Sequence, residues 1–238
     1  MCSSLLQLLF NAADIIVVGR FAGDNSLAAV GSTSSLINLL TNFFMGLSVG
    51  ANVLVARFFG ARNQKDLTET VHTAMTLSLY SGAILTVIGL VGAEQILLWM
   101  NTPPDVLPLA TLYLRIYFLG MTAMMLYNFG SAILRAIGDT KRPLYYLTIA
   151  GIINVLLNLL FVVAFQMDVA GVAAATAISQ CISAVLIIRC MMREQGSIHL
   201  ELTSLRVNGD KFRRILQIGL PASFQGILFS FSNVIIQS

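Results

Sequence analysis

The sequence predicts an all-α polytopic membrane protein, and three observations predict it. Apolar residues make up 57% of the chain and charged residues only 11%, far less charge than the surface of a soluble domain needs. The apolar residues arrive in uncharged blocks: 25–56, 73–93, 144–167, 169–188 and 215–238 hold no Asp, Glu, Lys or Arg, and 106–134 holds only Arg115. Crossing a hydrocarbon core of about 30 Å takes roughly 20 such residues in a helix. Seven spans follow, near 3–22, 30–55, 70–93, 108–134, 144–166, 169–190 and 215–238.

The third observation is the charge between the spans. Loops near 57–67, 135–143 and 189–214 hold twelve of the fourteen basic residues, while the opposite loops carry Arg20, Asp24, Glu94, Asp105 and Asp168. Excess Lys and Arg mark the cytoplasmic side. The expected protein is multi-pass in the inner or plasma membrane, with its amino terminus in the cytoplasm. The net charge of +3 reflects that bias and calls for no nucleic-acid partner. Arg206, Lys211, Arg213 and Arg214 read as a topology signal lying against the anionic headgroups of the lipid bilayer.

Span one reads as a span and not as a signal peptide, since no Lys or Arg precedes its apolar run and no cleavage pattern follows. Ser3, Gln7, Asn11 and Asp14 recur at helical spacing and form one polar stripe along it. Span two carries Ser34, Asn38, Asn42, Met45 and Asn52 on one side, with Gly46 and Gly50 spaced for close helix packing. Span three has His72 near its cytoplasmic end. In span four, Met121, Met124 and Met125 are flexible filler that also suits a cavity accepting many shapes, and Asn128 follows two turns on. Arg115 snorkels to the outer headgroups, where Trp99 and Tyr113 also belong. In span five, Asn154 and Asn158 lie one turn apart beside Gly151. Span six presents Thr176, Ser179, Gln180 and Ser183 on one face, after the small-residue run that starts at Gly171. Cys2, Cys181 and Cys190 are too scattered for a metal site and pack as small apolar residues.

Most of these hydroxyls and amides serve as interhelical glue, each worth roughly 1 kcal/mol. Asp14 is different, because a carboxylate inside a span costs a few kcal/mol and marks function by default. Desolvation favours its neutral form, so it suits proton exchange; a ring of carboxylate, amide and hydroxyl oxygens equally suits sodium. Spacing alone leaves both open. No nucleophile–base–acid set, metal spacing or phosphate loop accompanies His72 or His199, so an enzyme is not expected.

Several stretches resemble the multidrug and toxic compound extrusion (MATE) family of secondary transporters: NAADIIVVGRF with LAAVG, GLSVGANVLVARFFGAR, YLRIYFLG, AILRAIGDTKRP, NVLLNLLFVVAF with AGVAAATAIS, and IGLPASFQG. Their order matches over essentially the whole chain. The resemblance implies a pseudo-two-fold bundle of twelve spans in two lobes, exporting cationic and amphipathic compounds in exchange for protons or sodium, with no other cofactor. It places the coupling ion at Asp14, Asn154, Asn158 and Thr176, with sodium, where that is the ion, on Asp14, Asn154 and Thr176. Gln7, Asn11, Asn38, Asn42, Met124, Asn128 and Gln180 then become candidates to line the substrate cavity. Some archaeal members carry an acid where this chain has Asn158, so coupling here would centre on Asp14.

The implied organisation is a six-helix amino-terminal lobe over 1–190, a cytoplasmic linker over 191–214, and the first helix of an incomplete second lobe over 215–238. Residues 221–238 can be laid beside 3–20, which sets Asn233 opposite Asp14, an internal repeat of the kind such transporters carry. A truncated transporter is therefore expected, its partner being the missing carboxy-terminal lobe or a second half. A lipid-linked saccharide flippase of the same superfamily is the alternative in transport, and a non-transporting fragment or helper half is the alternative outside it. Flippase cavities tend to be richer in basic residues, and the spans here offer only Arg115.

Overall fold

The structure, a computed structural model, describes residues 12, 15–20, 24–196 and 198–237. Residues 15–20 are helical, whereas Gln7, Asn11 and Asp14 lie outside the described residues. Thereafter come α1 (Asp24–Gly60), α2 (Gln64–Trp99), α3 (Leu107–Leu119), α4 (Met121–Ala136), α5 (Lys141–Asn158), α6 (Asp168–Arg193) and α7 (Gly209–Gln237). A π-helical turn, Leu159–Ala164, extends α5, and a short 3₁₀ turn, Leu202–Ser204, interrupts the linker. Among the described residues no strand occurs. In lipid a spanning backbone must satisfy its own polar groups, and uncharged blocks of this length do so as helices.

Among the described residues, α1, α2, α5 with its π turn, and α6 are each long and apolar enough to cross a membrane; α3 and α4 meet the same criterion only when taken together as one bent pair. With 37 and 36 residues, α1 and α2 are each about 55 Å long at about 1.5 Å per residue, well beyond a hydrocarbon core of about 30 Å. Asn63 starts α2 cleanly, its side-chain oxygen accepting the Asp66 amide at 3.2 Å. Large apolar side chains face outward on these helices, Val91 being 80% exposed. That would be costly in water, and it is the normal surface of a helix solvated by lipid.

Spans two and three, expected over 30–55 and 70–93, lengthen at both ends to Asp24–Gly60 and Gln64–Trp99, and three further boundaries change. Span four, expected as one helix over 108–134, is broken at Gly120, where α3 and α4 meet at 45°. A Cβ on Gly120 would lie 2.9 Å from the Ala177 Cα, so the missing side chain is what lets the α6 backbone approach the break. Span five, expected over 144–166, winds as an α-helix only to Asn158 and then widens, Phe165 N–H bonding to the Leu160 carbonyl at 3.1 Å. Residues 209–214, expected in the linker, form the first turns of α7.

The chain forms two compact units. The first comprises Met1–Leu36, Gly82–Met124 and Leu144–Ser183, and the second Ile37–Ser81, Met125–Pro143 and Ala184–Ser238. In the first, Leu85, Leu97, Leu114, Phe118 and Met121 are fully buried. Gly82, Thr86 and Gly89 give α2 a smooth face there. Thr86 Oγ1 donates to the Phe118 carbonyl at 2.9 Å, and a Cβ at Gly89 would collide with the Phe118 ring at 2.0 Å. In the second, Leu54, Met75, Met125, Phe129, Ile133, Leu134 and Ile187 fill the core. There the Gly46–Gly50 pair meets α7: a Cβ at Gly46 would fall 2.3 Å from Ser223, and one at Gly50 2.3 Å from the Ile215 carbonyl. The spacing packs two helices of one bundle. Tyr113, expected at the outer interface, is buried instead, its ring 5.8 Å from that of Tyr117, while Trp99 is exposed.

Candidate functional site

In the first unit, α5 and α6 bring together three polar side chains that their spacing had marked. Asn154 and Asn158 are buried one turn apart on α5, and Thr176 is buried on α6. Thr176 Oγ1 donates to the Val172 carbonyl at 2.9 Å and accepts Asn154 Nδ2 at 3.2 Å. Asn154 Oδ1 in turn accepts Asn158 Nδ2 at 3.2 Å. One turn further along α6, Ser179 donates to the Thr176 carbonyl at 2.8 Å. The chain of bonds fixes the amide orientations, because each Nδ2 must point at an oxygen. It also gathers neutral oxygens, Asn154 Oδ1 and Thr176 Oγ1, of the kind a hard cation takes as ligands.

Asn158 is the last α-helical residue before the π turn. Such widened turns leave the regular bonding of a helix and recur at functional sites. Here it changes the winding immediately beyond the Asn154–Asn158 pair. The run LLFVVA is uniformly apolar, so nothing in it announces the change.

The other candidates are distributed between the units. Met124 and Gln180 are half-buried in the first. Asn38 is exposed, Asn42 half-buried and Asn128 buried, all in the second. Asn128 Nδ2 has no hydrogen-bond partner among the described residues, a costly state for a buried donor. Gln7, Asn11 and Asp14 lie outside the described residues, and so do the side-chain surroundings of Asn233.

Polar networks that the spacing had not marked occupy the second unit. Arg142 bridges Asp139 and Glu194 and donates to the Cys190 sulfur at 3.3 Å, tying the start of α5 to the end of α6. Asp139 also accepts the Arg142 amide at 3.2 Å, and Gly138 supplies the turn with a φ of +92°. The stretch AILRAIGDTKRP is thus a structural clasp. Lys211, expected in a lipid-facing basic patch, is buried. Its ammonium bonds to Asp66 at 2.5 Å and sits 4.4 Å over the Phe58 ring, while Arg206, Arg213 and Arg214 remain exposed. Arg115 pairs loosely with Glu94 at 3.6 Å, both side chains about half exposed.

A bundle of long apolar helices with amides and hydroxyls bonded to one another inside it defines a multi-pass membrane protein, and comparisons with known proteins specify which kind. The MatE family model matches residues 1–160. The chain belongs to the MatE family. It is 31% identical over 243 residues to the probable multidrug resistance protein YoeA of Bacillus subtilis, covering 99% of this chain and 52% of that one. It is 25% identical to the FAD transporter of Shewanella oneidensis, covering 96% and 51% of the two chains. Among solved structures, MATE in the bent conformation superposes with a TM-score of 0.90 at 26% identity, over 98% of this chain and 52% of that one. The chain spans about half the length of the relatives it matches. One of these relatives is named as a transporter and one as a probable multidrug resistance protein.

Proposed function

We propose that this chain is the amino-terminal lobe, linker and first second-lobe helix of a two-lobed antiporter that exports cationic or amphipathic compounds by alternating access. The single observation that carries the coupling site is the buried Thr176–Asn154–Asn158 chain of hydrogen bonds on α5 and α6. A membrane-embedded polar cluster beside a change of helix winding has the means to hold an ion and to rearrange when the ion leaves. Asp14 supplies the charge in this reading, and Asn154, Asn158 and Thr176 its neutral partners, with proton or sodium as the ion exchanged. The proposed domains are 1–190, 191–214 and 215–238, with the amino terminus in the cytoplasm, as the basic loops favour.

Two further observations support a drug-type cavity. Relatives are named as multidrug resistance or export proteins, and Arg115, the basic side chain expected within a span, is half exposed and paired with Glu94, so it is not a buried cation held ready for an anionic substrate. The test is efflux of a cationic dye from liposomes holding the chain with its proposed second lobe, driven in turn by a pH gradient and by a sodium gradient. Export driven by one of them is expected. Export driven by neither, from correctly inserted protein, contradicts the proposal.

A further inference from the structure

The linker after α6 docks on the first turns of α2, and His72 stands at the centre of that joint. His72 is buried, with Nδ1 2.9 Å from the Thr68 carbonyl and Nε2 3.2 Å from the Glu201 backbone nitrogen. A carbonyl can only accept and a backbone N–H can only donate, so the partners dictate the tautomer: Nδ1 carries the proton and Nε2 is the acceptor. The ring is therefore neutral in the docked state. Next to it, Thr73 Oγ1 accepts the Asn208 amide at 3.1 Å and reaches the Arg206 carbonyl at 3.5 Å, while Asn208 Nδ2 donates to Glu69 at 3.0 Å.

An imidazolium has two donors and no acceptor. Protonation would set Nε2–H against the Glu201 N–H, donor facing donor, and would sever the bond that fixes this end of the linker. Imidazole is the side chain that changes charge between about pH 5 and 8. Protons can reach it, because His72 lines an open crevice of about 540 Å³ together with Glu69, His199, Glu201 and Arg206. We propose that His72 is a pH-sensitive latch, holding the linker on α2 while neutral and releasing its Glu201 segment when protonated.

The charged and titratable groups around the latch have different bonding. Glu69 on α2 accepts from Asn208, and Glu201 on the linker accepts from Ser204 at 2.8 Å. His199 donates through Nδ1 to the Glu194 carbonyl at 2.9 Å, a bond that an imidazolium keeps. Lys211 of α7 pairs with Asp66 of α2, and Arg206 is exposed. Among these, His72 alone spends an imidazole acceptor on the linker backbone. Since the linker leads into α7, release would let cytoplasmic acidity act on the proposed second lobe. That consequence rests on the two-lobed reading, but the latch itself does not.

Spin labels on Lys65→Cys and Thr203→Cys, both exposed positions, report the joint when Cys2, Cys181 and Cys190 are replaced by Ser. Distance distributions are measured in lipid nanodiscs at about pH 7.5 and about pH 5.5, either side of the imidazole range. With His72 present, the undocked fraction should rise about fivefold on acidification, the loss of one ordinary hydrogen bond. His72→Gln places an amide oxygen where Nε2 stands and should stay docked at both values. His72→Phe offers no acceptor and should match the acidic distribution throughout. An unchanged distribution with His72 present, or an equal pH response in His72→Gln, overturns the latch. These distances are read without any transport, so failed export and a failed latch are separate results.

Discussion

Asn154 reaches from α5 to Thr176 on α6 across 3.2 Å, and Thr176 passes the bond on to its own helix at the Val172 carbonyl. One hydroxyl thus joins two helices and sets the orientation of two amides. Thr176→Val keeps the shape and removes both functions, leaving Asn154 Nδ2 without its acceptor. A loss of about 1 kcal/mol in stability is expected, the usual worth of such bonds between membrane helices. Thr176→Ser should restore most of it. Thermal unfolding of the protein in nanodiscs measures both variants, and equal stability of Val and Ser would show that the bond contributes nothing.

Gly50 and Gly60 lie on the same helix with opposite surroundings. A methyl group on Gly50 would meet the Ile215 carbonyl at 2.3 Å and the Gly219 nitrogen at 2.8 Å, whereas one on Gly60 meets nothing within 4 Å. Backbone atoms cannot step aside cheaply, so Gly50→Ala should cost about 1–3 kcal/mol. Gly60→Ala should be neutral or stabilising by about 0.5 kcal/mol. Chemical unfolding monitored by tryptophan fluorescence of Trp99 compares the pair.

Arg142 holds two carboxylates and a thiol with one planar fork. Its side chain is 42% exposed, so solvent screening keeps the ion pairs modest, at about 1 kcal/mol for Arg142→Ala. Arg142→Lys preserves the charge but reaches a single partner at a time, and should recover less than half of that loss. Proteolysis at the loop between α4 and α5 reads the effect directly, with faster cleavage expected in both variants.

Much of the fold was legible because the membrane imposes a simple code. Uncharged blocks gave the helices, and the Asn154–Asn158 spacing in an uncharged block marked residues that the structure joins to Thr176. The break at Gly120 was not legible, since a lone glycine in a span is compatible with a straight helix until a neighbour such as Ala177 approaches it. The π turn was hidden for a similar reason, its residues being as apolar as the helix before them. The linker joint escaped because His72 and Glu201 are 129 residues apart and no periodicity links a ring nitrogen to a distant backbone amide. Lys211 looked like one more surface cation until Asp66 and Phe58 closed around it.

The most direct test of the proposed coupling site is Asp14→Asn in the chain carrying its proposed second lobe, assayed for gradient-driven efflux after reconstitution. The substitution removes the charge and keeps the size, so membrane insertion and thermal stability should be preserved. Gradient-driven export should be lost, while the passive binding of a cationic dye persists. Undiminished export by Asp14→Asn would contradict the assignment of the coupling ion to this residue and its Asn154, Asn158 and Thr176 partners.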